Sequence, residues 1–201
     1  MPEAYQKKLT EMCNDNLGPE RSNVIFRPKA HAPAMFKDYV HSAYEEEQIL
    51  AQVVLDDDAV CCDFVSVVKA ETEAALRPCY DEDVDTVFIS FARGISLILG
   101  DGEPEIAPRN SIFNNQGLIM AAPAGTRRNP YNTSHRMIHQ RRPSRSIATK
   151  RPFYLRTLHD SNDSRGLVDD VRLTQDEIKE MARYFPFLPN LMRQKIRLSA
   201  A

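Results

Sequence analysis

No Asp or Glu occurs between Glu105 and Asp160. That 54-residue stretch (106–159) carries ten Lys/Arg, and Pro123, Pro130, Pro143 and Pro152 punctuate it. A proline lacks the backbone donor and clashes with the preceding turn, so no long helix fits there without a break. The rest of the chain has the opposite balance. Residues 1–105 hold 21 Asp/Glu against 9 Lys/Arg, and residues 160–201 hold 7 of each. A formal net charge of −2 therefore conceals a strongly dipolar polypeptide. Such asymmetry points to a polyanionic partner, or to docking of the basic segment on an acidic one.

A chain of 201 residues suits one domain with an appendage, or two small ones. Hydrophobic residues make up 42% and the mean hydropathy is −0.45, so a core is affordable. The basic window is not expected to join it. Rich in Pro, Asn, Ser, Thr and Arg, it offers too little apolar surface to offset its own chain entropy. The polar start, Met1–Gly18, does not read as a signal peptide. Val84–Leu99, the most apolar run, is interrupted by Arg93 and too short for a bilayer. A cytoplasmic setting follows as the expectation, with nuclear or cytoskeletal alternatives, no secretion and no membrane partner. Cys13, Cys61, Cys62 and Cys79 are spaced neither as a disulfide framework nor as a zinc ribbon, which predicts reduced thiols.

Met1–Asn16 reads as a short helix stopped by Gly18-Pro19, and Ser22–Pro33 as an extended connector. Ala34–Leu55 and Asp58–Leu76 carry apolar residues at i, i+3, i+4 and i+7, the rhythm of an amphipathic helix. The acids Asp56-Asp57-Asp58 and Asp81–Asp85 are read as helix-start charges, favoured by the dipole. Val84–Leu99 fits a buried helix through Phe88, Phe91, Ala92, Ile95 and Leu99. It also fits two alternating strands around Arg93-Gly94, as a β-hairpin; the helix is preferred. Ile112–Met120 is a short apolar patch, and residues 121–158 show no element. Thr174 followed by Glu177 spells a capping box, with Leu173 and Ile178 as its hydrophobic staple. A helix ending at Pro186 and another from Pro189 to Leu198 would pair. The fold class expected is mainly α: a small helical bundle, a long extended basic arm and a C-terminal helical hairpin. The corresponding divisions are residues 1–105, 106–159 and 160–201.

On that reading the function lies in the arm. Arg109, Arg127, Arg128, Arg136, Arg141, Arg142, Arg145, Lys150, Arg151 and Arg156 would neutralise phosphates of RNA or carboxylates of a protein surface. Tyr131, Phe153 and Tyr154 sit beside arginines and would stack on bases. Ser144, after Arg141-Arg142-Pro143, matches a basophilic kinase pattern, and phosphate there would oppose anion binding. His135 and His139 are four apart, but no acidic residue or cysteine lies nearby in sequence, so no metal site is expected. No cofactor is expected either. Nucleophile-elbow, P-loop, dinucleotide and HExxH patterns are all missing, and glycines number seven. The chain thus reads as a non-enzymatic structural subunit, coat- or nucleoprotein-like, contacting RNA and copies of itself or other subunits. The alternative is an accessory protein of a cytoskeletal filament, such as a microtubule, or of a large organellar complex.

Overall fold

Two four-stranded sheets form the centre of the molecule, where a mainly α bundle was expected. The computed structural model describes residues 3–21, 43–55, 58–79, 85–99, 103–126, 128–158 and 171–192. Helix α1 (Glu3–Leu17) forms where the sequence predicts it and ends at Gly18, whose φ of 86° is left-handed. Further along, the helical expectation fails. The 34–55 pattern falls partly outside the described residues, and its end is strand β1 (Ile49–Val53). Asp58–Leu76 begins with strand β2 (Ala59–Val60), and helix α2 (Phe64–Cys79) starts only after a turn at Cys62 and Asp63. In α2 the buried positions Phe64, Val68, Thr72, Ala75 and Leu76 recur at helical spacing, so the period was real, but the helix starts later than expected and runs past Leu76 through Pro78 to Cys79.

Val84–Leu99 is neither the helix nor the hairpin. It holds strands β3 (Val87–Phe91) and β4 (Arg93–Ile98), which are not partners. They run on in one direction into different sheets, with Ala92 between them. The supposed arm supplies their partners. Strand β6 (Ile119–Pro123) lies antiparallel to β1 and β3, and β7 (Ser144–Ile147) lies parallel to β3, giving the order β1-β6-β3-β7. In the second sheet β5 (Glu105–Asn110) is antiparallel to β4, β8 (Tyr154–Leu158) is parallel to it, and β2 is antiparallel to β8. Its order is β2-β8-β4-β5. Backbone bonds from Ala92 N–H to Ile147 C=O and from Phe153 N–H to Arg93 C=O carry the parallel pairing across the gap between sheets.

The window was misread because its strands are short, and β6 is buried on both sides. Ile119, Met120, Ala121 and Ala122 are all within 1% of full burial, so no alternation of apolar and polar residues marks β6. Ile119 and Ala121 face one core with Phe64, Phe91, Phe153 and Ile147. Met120 and Ala122 face a second, with Val54, Phe88, Leu118 and Ile138. Phe91 stacks on Phe153 at 4.4 Å and takes Phe64 edge-on at 5.4 Å, which ties both sheets to α2. Between β6 and β7 runs helix α3 (Ile138–Arg141).

At the C-terminal end the capping box is present. Thr174 N–H donates to Glu177 Oε2 at 2.7 Å, Glu177 N–H donates to Thr174 Oγ1 at 3.4 Å, and helix α4 (Gln175–Met181) follows. Helix α5 (Leu188–Leu191) begins the second expected helix, and residues 193–201 lie outside the described residues. Ile178, Phe185 and Leu188 join the main core. Among the described residues no helix is long and apolar enough to cross a membrane.

Candidate functional site

The ten cations of the window scatter over the fold. Three are folded back onto carboxylates of the same chain. Arg128 meets Asp85 at 2.9 Å and also donates to Thr86 Oγ1 at 3.0 Å. Arg145 meets Glu71 at 3.4 Å. Arg151 clasps Asp63 with two guanidinium nitrogens, the Nη1–Oδ2 contact being 3.0 Å. Arg136, Arg141, Arg142 and Lys150 are exposed, and Arg127 lies outside the described residues. Of the aromatic candidates, Tyr154 and Phe153 are buried at 0% and 3% exposure and serve the core, while Tyr131 is half-exposed. Ser144 opens the edge strand β7 and is half-buried. His139 stacks on Phe113 at 5.2 Å, and burial with the neighbouring Arg136 charge lowers the pKa of His135.

Arg151 is the centre of a structural clasp. Its guanidinium lies 4.8 Å from the ring centroids of both Phe153 and Tyr184, and it donates to Cys61 Sγ at 3.3 Å. These bonds hold Asp63 down to about 2 from an ordinary 3.8. Burial, chiefly, pushes the Cys61 thiol up to about 11. A thiol so shifted is protonated at neutral pH and is no nucleophile.

Two other cations, Arg109 and Arg156, do converge. The register of the second sheet aligns Val60, Tyr154, Gly94 and Arg109 in one row across four strands. A second row on the same face holds Arg156, Ser96 and Ala107. Gly94 makes the first row possible, because a Cβ there would meet the Tyr154 ring at 2.3 Å. The ring lies across the bare strand, on the face that also carries Arg109. Asn114 Nδ2 approaches the Tyr154 hydroxyl at 3.5 Å, while it donates to the carbonyls of Phe91 and Ser111 at 2.9 Å each. Asp58 completes the group. Its Oδ1 accepts from Thr157 N–H at 3.2 Å, placing a carboxylate beside the C-terminal part of β8. Burial raises the Tyr154 pKa, the Arg109 and Arg156 charges oppose that rise, and Asp58 adds to it.

Arg109 and Arg156 therefore share the Tyr154 face of the second sheet, where β4 and β8 run parallel, and Asp58 is bonded to the backbone of β8 at Thr157. Guanidinium pairs stabilise an oxyanion or a phosphate, and a carboxylate accepts a proton from a hydroxyl group. Sequence reading missed Asp58 by treating it as a helix-start acid; it precedes a strand. Asp56, Asp57 and Asp81–Asp83 lie outside the described residues. The available signal was an acidic residue directly before an apolar pair, with Arg and Tyr alternating in Tyr154–Arg156.

Comparison with protein families finds a match to the family described as putative rhamnosyl transferase, over residues 1–169. No curated protein matches the chain, and no solved structure does. The match overturns the expectation of a non-enzymatic, RNA-binding or filament-bound structural subunit, because it points to an enzyme of glycosyl transfer.

Proposed function

We propose that this chain, which belongs to the putative rhamnosyl transferase family, transfers a rhamnosyl group from a phosphate-activated donor to an acceptor hydroxyl, with the Tyr154 face of the second sheet as its reacting surface. In such a transfer the bond from the anomeric carbon to the phosphate oxygen breaks, and the phosphate leaves with the electron pair. The acceptor oxygen forms the new bond, and its proton passes to a base. The chain's residues match those demands in kind. Arg156 would stabilise the leaving phosphate, and a guanidinium held in place costs little reorganisation when charge develops. Asp58, oriented by the Thr157 amide, would take the acceptor proton. Tyr154 and Asn114 hold the strands beneath the site.

The observation that carries this reading is the strand register that sets Arg109 and Arg156 on the Tyr154 face of the second sheet, with Asp58 bonded at 3.2 Å to the Thr157 amide. Its test is release of nucleoside diphosphate from a panel of nucleoside diphosphate rhamnoses, followed with wild type and two variants. Asp58→Asn and Arg156→Ala should each lower kcat by about 100-fold or more while leaving the folded spectrum intact. No release from any donor by folded wild-type protein defeats the proposal, as does full activity in Asp58→Asn.

A further inference from the structure

A groove of about 330 Å³ opens where the β4–β5 hairpin meets the chain entering α4. Its apolar lining comes from Ile95, Pro108, Leu173 and Met181. Arg93, Arg109 and Lys150 also line it, against two carboxylates, Glu177 and Glu180. One of those carboxylates is already committed. Glu177 accepts from Thr174 N–H at 2.7 Å and from Thr174 Oγ1 at 2.8 Å, and these bonds lower its pKa. The cations are differently placed. Arg93 and Lys150 are exposed and form no ion pair among the described residues. Arg109 Nε is buried there without a hydrogen-bond partner. A buried guanidinium donor left unpaired is costly, and a ligand that accepts from it recovers that cost.

The groove also adjoins the proposed reacting surface, since Gly94 and Arg109 belong to both. We infer that it is the acceptor subsite, and that the acceptor is an acidic sugar whose carboxylate or phosphate lies against Arg93, Arg109 and Lys150. The inference rests on the transferase reading above. Its apolar lining would take the C–H face of the ring, and its volume suits a monosaccharide unit better than a long chain. Selectivity follows from the cations. A neutral sugar would leave Arg109 Nε unpaired, whereas a carboxylate or phosphate gains charge-assisted bonds.

Titration of isotope-labelled protein with D-glucuronate, glucose 6-phosphate, inorganic phosphate and D-glucose, followed by NMR without any donor, tests this. Glucuronate or glucose 6-phosphate should shift Ile95 and Leu173 resonances and bind at least about tenfold more tightly than glucose, the effect of one charge-assisted hydrogen bond. Whichever of the two binds better identifies the anion. The double variant Arg93→Ala/Lys150→Ala should lose that preference. Equal binding of glucose, inorganic phosphate binding as tightly as glucose 6-phosphate, or a preference surviving in the double variant would each overturn the inference. Because the readout needs no turnover, an inactive protein that still selects acidic sugars sinks only the transferase reading. An active transferase indifferent to charge sinks only the acceptor assignment.

Discussion

Tyr154 has no exposed surface, yet its ring reaches across Gly94, the strand neighbour of Arg109. That reach makes Gly94 the most sensitive small residue of the site. Gly94→Ala sets a methyl 2.3 Å from a ring that packed neighbours prevent from yielding. We expect a loss of about 1–3 kcal/mol in stability by chemical denaturation, the usual range for overpacking, together with loss of diphosphate release. Conversely, Cys61 is protected by burial and a raised pKa, whereas its neighbour Cys62 is exposed. Brief treatment with iodoacetamide near pH 8 should alkylate Cys62 and spare Cys61, as read by peptide mass spectrometry. Equal labelling would show that the Arg151 clasp does not hold in solution. None of this residue-scale geometry was legible beforehand. The sequence showed Tyr154 beside arginines, but only the strand register reveals which arginine shares its row and that it faces inward.

Elements were legible in proportion to their local signal. The Thr174–Glu177 capping box needs only four consecutive residues, and it was found where expected. Removing it by Thr174→Ala should cost about 1 kcal/mol and loosen α4, visible as faster amide exchange over Gln175–Met181. Helix α2 was legible through its period, although Asp58–Val60 was wrongly joined to it. β3 and β4 were half-legible, since alternation suggested strands but nothing local says that consecutive strands enter different sheets. β6, β7 and β8 were illegible. β6 is buried on both faces, β7 is a four-residue edge strand with a single buried residue, and such short runs among arginines resemble loop by composition. At this scale the Asp63–Arg151 clasp joins the start of α2 to Tyr184 beyond α4. Folding lowers the Asp63 pKa from 3.8 to about 2, so the folded state binds this proton less tightly than the unfolded one. The pair's contribution to stability is complete above pH 3.8 and fades as pH falls toward 2. Asp63→Asn should therefore melt below wild type at pH 6, and the gap in Tm should shrink steadily from pH 4 to pH 2. A gap independent of pH would assign the effect to packing alone.

Across the whole molecule, the charge asymmetry that dominated the sequence resolves inward in part, among the described residues. Arg128, Arg145 and Arg151 neutralise acids from other parts of the chain, while Arg109 and Arg156 gather at Tyr154. Segregation along the chain becomes mixing in space, because the basic strands are the partners of strands from the acidic half. The aromatic stack of Phe64, Phe91 and Phe153 lies at the meeting of the two sheets and α2. Phe91→Ala should cost about 3–5 kcal/mol and lower protection in both sheets together, measured by hydrogen exchange. Loss confined to one sheet would mean that the two are energetically independent.

Both parallel ladders share a further property. β3 and β4 precede residue 111, whereas β7 and β8 follow residue 143. Cutting the polypeptide at the exposed Ile112 would thus give two pieces, each owning one side of both ladders and neither owning a complete sheet. Activity would return only when the halves find each other, which makes this chain a natural candidate for a split reporter whose signal is reassembly.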